Sequence, residues 1–171
     1  GRKVALLQAL APDLSVVHVP FADTHGNGII LGSMYYDYWL ARAGKKIVLV
    51  ADQIVDTEMC RRYPNLVSIP GVGVDAVVPW SMGAWPCNSP GLYGEDLEHI
   101  TAFVKSSRGD ALRSYIDKYV YSWNDHAEYI SLIGKEKVAA LKDNPANVLA
   151  EPFSSWFIAP EKVAELLPGS K

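Results

Sequence analysis

The chain has 171 residues, 49% of them hydrophobic and 20% charged, with a net charge of −3. That length suits a single domain with a sizeable core. The lack of a Lys/Arg stripe argues against a nucleic-acid partner, and no apolar run approaches the ~20 residues of a membrane helix.

The two cysteines, Cys60 and Cys87, are too few for a disulfide framework. They read as free thiols in a reducing, cytoplasmic setting. The first residues, GRKVALLQALAPDL, are basic and then apolar, which is also the shape of a signal peptide. Their apolar run is short and leads directly into a strand, so secretion is not expected.

Val4 to Leu10 fits a short helix or strand that Pro12 ends. Leu14 to Val19 reads as a strand, apolar on both sides except at Ser15 and His18. Such strands belong to parallel sheets covered by helices on both faces. A polar corner follows, Asp23-Thr24-His25-Gly26-Asn27-Gly28, and Ile29 to Leu31 leaves it. Ser33 is placed to cap a helix over Met34 to Arg42, with Gly44 beyond its end. Lys46 to Ala51 is a second buried strand, which completes a strand–helix–strand crossover.

Thr57 to Tyr63 forms a helical turn before short strands at Leu66 to Ile69 and Val74 to Val78. The stretch Pro79 to Gly94 is long, aromatic and irregular, the character of a functional loop or lid. From Glu95 the pattern turns helical. Leu97, Ile100 and Val104 share one face, Asp110 caps a helix to about Ser122, and a helix from Asp125 to Leu141 breaks near Gly134. The tail, Asn144 to Lys171, holds turn signals and one short helix at Lys162 to Leu167. The expected architecture is one α/β domain: an open, mostly parallel sheet flanked by helices over 1–94, and a helical half over 95–171.

Gly26 and Asn27 both tolerate positive φ and make a tight turn, whose amides Asp23 can bind. That is a structural role; the functional reading makes the corner one wall of a ligand pocket. His25 is a general-base candidate near neutral pH, or simply a solvated loop histidine. Cys87 follows Pro86 with no His nearby in sequence, so a packed lid thiol competes with a nucleophile. The Gly83 and Ala84 amides are candidates to hold an oxyanion. Gly71-Val72-Gly73 lacks a third glycine and opens no helix, which argues against a dinucleotide site. The four histidines, 18, 25, 99 and 126, show no metal-ligand spacing, so no metal is expected. Asp125 opens a helix, and Tyr119, Tyr121, Trp123 and Tyr129 form an aromatic cluster suited to a core or a subunit interface.

Taken in order, VVHVPFADTHGNGIILGS, KKIVLVADQIVD, IPGVGVDAVV, GAWP…GLYGED and YIDKYVYSWNDHAEYISLIG resemble the A subunit of the family I CoA-transferases, in the glutaconate CoA-transferase branch. The resemblance covers about residues 14 to 134 and matches the later half of such a subunit. It implies a CoA-transferase-like α/β fold, acyl-CoA substrates with coenzyme A as part of the substrate and no bound cofactor, and a B-type partner subunit. It also implies that the nucleophilic glutamate sits on that partner, and that another chain or segment supplies the N-terminal half. Trp85 stands where the branch has His, Cys87 where a small hydroxyl residue is common, and Ala51-Asp52-Gln53 replaces a glutamate-containing strand end.

The expected activity is CoA transfer between a glutaconate-like acyl-CoA and a carboxylic acid. The alternatives are decarboxylation or C–C hydrolysis of an acyl-CoA on the same scaffold, or a non-catalytic interaction module. No catalytic residue is assigned within this chain. The expected substrate-binding residues are Phe21, Asp23, His25, Gly26 and Asn27 at the corner and Gly83, Trp85, Cys87 and Asn88 on the lid. The two groups are expected to converge on one thioester cavity.

Overall fold

The computed structural model describes residues 1–143 and 155–166. Five strands form one open sheet in the order β4-β2-β1-β3-β5. They are β1 (Leu14–Ala22), β2 (Gly28–Ile29), β3 (Lys46–Ile54), β4 (Val67–Ile69) and β5 (Ala76–Pro79). β1, β3 and β5 pair in parallel; β2 is antiparallel to both of its neighbours, β1 and β4. The sheet is therefore mixed, and β2 is the one strand that runs against the others.

Helix α1 (Asp37–Ala43) crosses from β1 to β3, and α2 (Thr57–Arg62) follows β3. The later half is helical: α3 (Leu97–Lys105), α4 (Gly109–Tyr119), α5 (His126–Ile133) and α6 (Lys135–Lys142), with α7 (Pro160–Leu166) near the end. None of the helices of the described residues is long and apolar enough to cross a membrane.

Side-chain alternation explains the two faces of the sheet. Ser15, Val17 and Val19 point towards α1, where Ser15 Oγ donates to the Leu40 carbonyl at 2.7 Å. With Leu49, Ala51, Ala41 and Ile69 they make the main core. The opposite face carries Val16, Val48 and Ala76 in register, then His18, Val50 and Val78. The lid loop covers only the far end of this face, so Leu14 and Val16 are half-exposed. Among the described residues, α1 packs on the first face and the lid loop on the far end of the second. A second core forms around Phe21, Ile29, Val55, Met59 and Cys60, and a third joins Met82 and Tyr93 of the lid to Tyr129 and Ile133 of α5.

Several expectations are corrected. Val4 to Leu10 forms no regular element, and Leu6, Leu7 and Leu10 are exposed. The first crossover helix begins at Asp37 instead of Met34, because Tyr35 takes φ 42° and breaks helical geometry before it. Ser33 therefore does not cap it. α4 starts at Gly109, so Asp110 lies in its first turn and not at its cap. The break at Gly134 is present, with φ 97°, and Asp125 caps α5 through the Glu128 amide at 2.9 Å. The turn signals of 144–154 and the end of the last short helix lie outside the described residues.

Candidate functional site

Asp23 builds the corner from inside. Its carboxylate is fully buried and accepts from the amides of His25 (2.9 Å) and Asn27 (2.8 Å) and from Asn27 Nδ2 (2.7 Å). Asn27 Oδ1 then accepts from the Gly71 amide at 3.0 Å, which ties the corner to the turn before β5. Gly26 has φ 85°, and a Cβ there would lie 2.8 Å from Val74 Cβ. His25 is exposed, with Nδ1 3.0 Å from Thr57 Oγ1. It lines a cleft of ≈ 460 Å³ with Asn27 and Cys60, and one of ≈ 310 Å³ with Gly26 and Val74. Phe21 does not face a cleft: it is fully buried and stacks on Phe157 at 5.6 Å.

The lid is pinned at the other end of the site by a residue that the expectations left out. Asp52, on β3, has a side chain only 2% exposed. Its Oδ1 accepts from the Gly83 amide at 2.9 Å, and the Tyr93 hydroxyl donates at 3.1 Å. Its Oδ2 lies 2.8 Å from His18 Nε2 on β1. Tyr93 Oη in turn accepts from the Ala84 amide at 2.9 Å. A buried carboxylate on β3 met by donors from β1 and the lid loop fixes those three parts relative to one another.

Burial, with Asp52 adding to it, pushes the Tyr93 phenol far up, so Tyr93 stays protonated and acts as a donor. Tyr129 is pushed up to about 12 by burial, with Asp52 again adding to it, and donates to the Met82 carbonyl at 2.7 Å. Met82 is buried with φ 64°, an unusual conformation for a residue with a side chain, and it directs the next amide at Asp52. Gly83 is needed there, since a Cβ would lie 2.9 Å from the Trp80 carbonyl and 3.1 Å from His18.

The remaining lid residues separate. Trp85 is packed among aromatics, its ring 4.1 Å from that of His99, with Nε1 donating to Asp96 at 3.2 Å. It supports the lid from behind. Cys87 and Asn88 are exposed, and Asn88 lines a polar cleft of ≈ 330 Å³ with His18, Ser33, Tyr35 and Asp37. The lid residues Gly83, Trp85, Cys87 and Asn88 line neither of the clefts at His25, so corner and lid bound different hollows along the strand ends. The clefts at His25 are walled by α2 through Thr57 and Cys60 and by β5 through Ala76 and Val77, whereas the Asn88 cleft lies against His18 and Pro20 of β1. Among the described residues no group of three or more His, Cys, Asp or Glu could hold a metal ion.

The two thiols differ in a way that can be measured. Burial, with Asp23 adding to it, pushes Cys60 up to about 12. A thiol reagent at pH 8 is expected to modify Cys87 rapidly in the native protein and Cys60 only on unfolding. Rapid modification of both would contradict the packing of Cys60.

The Trp85–His99 contact gives the lid's support an acid limit. Burial holds His99 below its ordinary value of 6.5, with Asp96 opposing and Lys137 and Lys118 assisting. The folded state thus disfavours the proton, and stability is lost as pH falls below 6.5. Burial raises Asp96, but the His99 amide, Lys137 and Trp85 outweigh it and hold it below 3.8. Its contribution is lost at still lower pH. Near-UV circular dichroism is expected to show a first acid step below pH 6.5 that His99→Gln removes; an unchanged first step in that variant would refute the assignment.

No protein-family model matches the chain. It is 41% identical over 138 residues to an uncharacterized protein of Archaeoglobus fulgidus, covering 80% of this chain and 31% of that one. It is 30% identical over 146 residues to the A subunit of glutaconate CoA-transferase from Acidaminococcus fermentans, covering 85% of this chain and 46% of that one. The A subunit of 3-oxoadipate CoA-transferase from Pseudomonas knackmussii is 25% identical, over 80% of this chain and 48% of its own length. Among solved structures, glutaconate coenzyme A-transferase of Acidaminococcus fermentans superposes with a TM-score of 0.73 and 28% identity, over 88% of this chain and 45% of that one. A variant of the AibA/AibB decarboxylase superposes with a TM-score of 0.54 at 22% identity, over 65% of this chain and 40% of that one, which is a likeness of fold. The chain spans less than half the length of each of these proteins.

Proposed function

Because the chain belongs to the family of CoA-transferase A subunits, we propose that it works as part of the A side of an enzyme of two subunit types that acts on acyl-CoA. The reaction is transfer of CoA between a glutaconate-like acyl-CoA and a carboxylic acid. The observation that carries this reading is the match to glutaconate CoA-transferase in sequence and in fold together, over 85% and 88% of this chain. A B-type subunit supplies the nucleophilic glutamate. Its carboxylate attacks the thioester carbonyl and CoA leaves as thiolate, giving an acyl–glutamyl anhydride. The thiolate then attacks the glutamyl carbonyl, which releases the first acid and leaves CoA as a glutamyl thioester. The acceptor acid takes CoA from that thioester through the same two steps in reverse. Coenzyme A belongs to the substrate in this scheme, the site of action is the cytoplasm, and further polypeptide supplies the rest of the A side.

This chain's share is positioning. Asp52 fixes the lid over the ends of β1 and β3 through Gly83 and Tyr93. The lid then presents Asn88 beside His18 at the rim. Co-expression with the remaining A-side polypeptide and a B-type subunit, followed by incubation with glutaconyl-CoA, tests the reading. Formation of acetyl-CoA that depends on added acetate is expected. Loss of glutaconyl-CoA at the same rate without acetate would overturn transfer in favour of decarboxylation or hydrolysis.

A further inference from the structure

His18 is half-buried in a strand that is otherwise nearly apolar, and its Nε2 faces Asp52 at 2.8 Å. The Asp52 oxygens meet the Gly83 amide, the Tyr93 hydroxyl and His18. The Tyr93 hydroxyl accepts from the Ala84 amide and donates its one proton to Asp52. Asp52 is therefore the acceptor throughout, and His18 Nε2 must carry the proton of that contact. This is the arrangement in which a buried carboxylate selects one histidine tautomer and leaves the other nitrogen basic.

The other nitrogen, Nδ1, has no partner among the described residues. The ring lines the ≈ 330 Å³ cleft with Ser33, Asp37 and Asn88. Among the described residues no Lys or Arg lines that cleft, and Asp37 adds an acidic group, so an anionic ligand end is disfavoured. Ser33 and Asn88 add neutral polar groups. The lining suits an uncharged ligand that donates hydrogen bonds and accepts a few.

We propose that this cleft is a ligand subsite in which His18 Nδ1 accepts a hydrogen bond from an amide or hydroxyl of the bound molecule. On the acyl-CoA reading, on which the choice of ligand rests, the matching group is the amide-bearing pantetheine arm of the thioester. His18 is a positioning residue here, and no covalent step passes through it.

Long-range ¹H–¹⁵N NMR of the histidine rings, with pantetheine alone as the probe, tests both parts. The free chain is expected to show His18 protonated at Nε2 with an unprotonated Nδ1. Pantetheine is expected to move the His18 Nδ1 resonance saturably while leaving exposed His25 unmoved. His18→Gln, which fills the same space at a partly exposed position, is expected to weaken pantetheine binding about tenfold. Asp52→Asn is expected to bring the other tautomer into the spectrum.

An Nδ1-protonated His18 in the free chain would overturn the inference. So would equal shifts at His18 and His25, a response to acetate as large as that to pantetheine, or unchanged binding in His18→Gln. None of these results bears on acetate-dependent transfer, which can succeed or fail by itself.

Discussion

Replacing Asp52 with Ala is expected to cost about 2–4 kcal/mol of stability, measured by urea unfolding. The change strands the Gly83 amide and the Tyr93 hydroxyl in a buried setting and frees His18. Stranded buried donors cost more than the bonds they once made contributed, which is why the effect is large for one side chain. Against a typical total of about 5–15 kcal/mol, it is a substantial fraction. Asp52→Asn keeps the volume and one acceptor oxygen, and is expected to cost less. A loss below about 0.5 kcal/mol in Asp52→Ala, the ordinary range for a surface change, would mean that the lid does not depend on this residue.

The second large effect is expected at Asp23. Its carboxylate satisfies two amides and the Asn27 side chain, all within 2.9 Å. Asp23→Ala leaves those donors to a buried corner and is expected to cost about 2–4 kcal/mol. Asn27→Leu removes both the link to Asp23 and the one to the Gly71 amide. It is expected to destabilise by a similar amount and to release the turn before β5. The two losses should be less than additive, because they break one shared network. A double variant whose loss equals the sum of the single losses, measured by the same unfolding, would show that the corner is not one unit.

The strands were readable because β1 and β3 are long apolar runs, and the corner because Gly26 and Asn27 are turn residues beside an acceptor. The lid was readable from its prolines, glycines and aromatics. The site's anchor is less legible, although the sequence carries a signal for it. His18 is a polar residue in the middle of a buried strand, and such a group requires a partner. Asp52 sits near the end of the next strand, within reach once β1 and β3 pair in parallel with Leu14 opposite Lys46. That register is a tertiary fact; composition does not give it, so the pairing stayed hidden.

Trp85 misled for the opposite reason. A tryptophan in a loop resembles a pocket wall, but here α3 and α4 bring His99, Tyr115 and Tyr119 beneath the lid and absorb the ring into a core. Phe21 was likewise claimed by Phe157, more than one hundred positions away in sequence. Helix starts failed where backbone geometry overrode capping preference, as at Tyr35.

The placement of the lid depends on the Gly83 amide being held by Asp52 beneath it. Native-state hydrogen exchange reads that amide directly. It is expected to exchange as slowly as Leu49 and Ala51 in the centre of β3, and to become at least about tenfold faster in Asp52→Asn, where the acceptor is weakened. A Gly83 amide that exchanges at the rate of an open loop in the unaltered chain would show that Asp52 does not hold the lid.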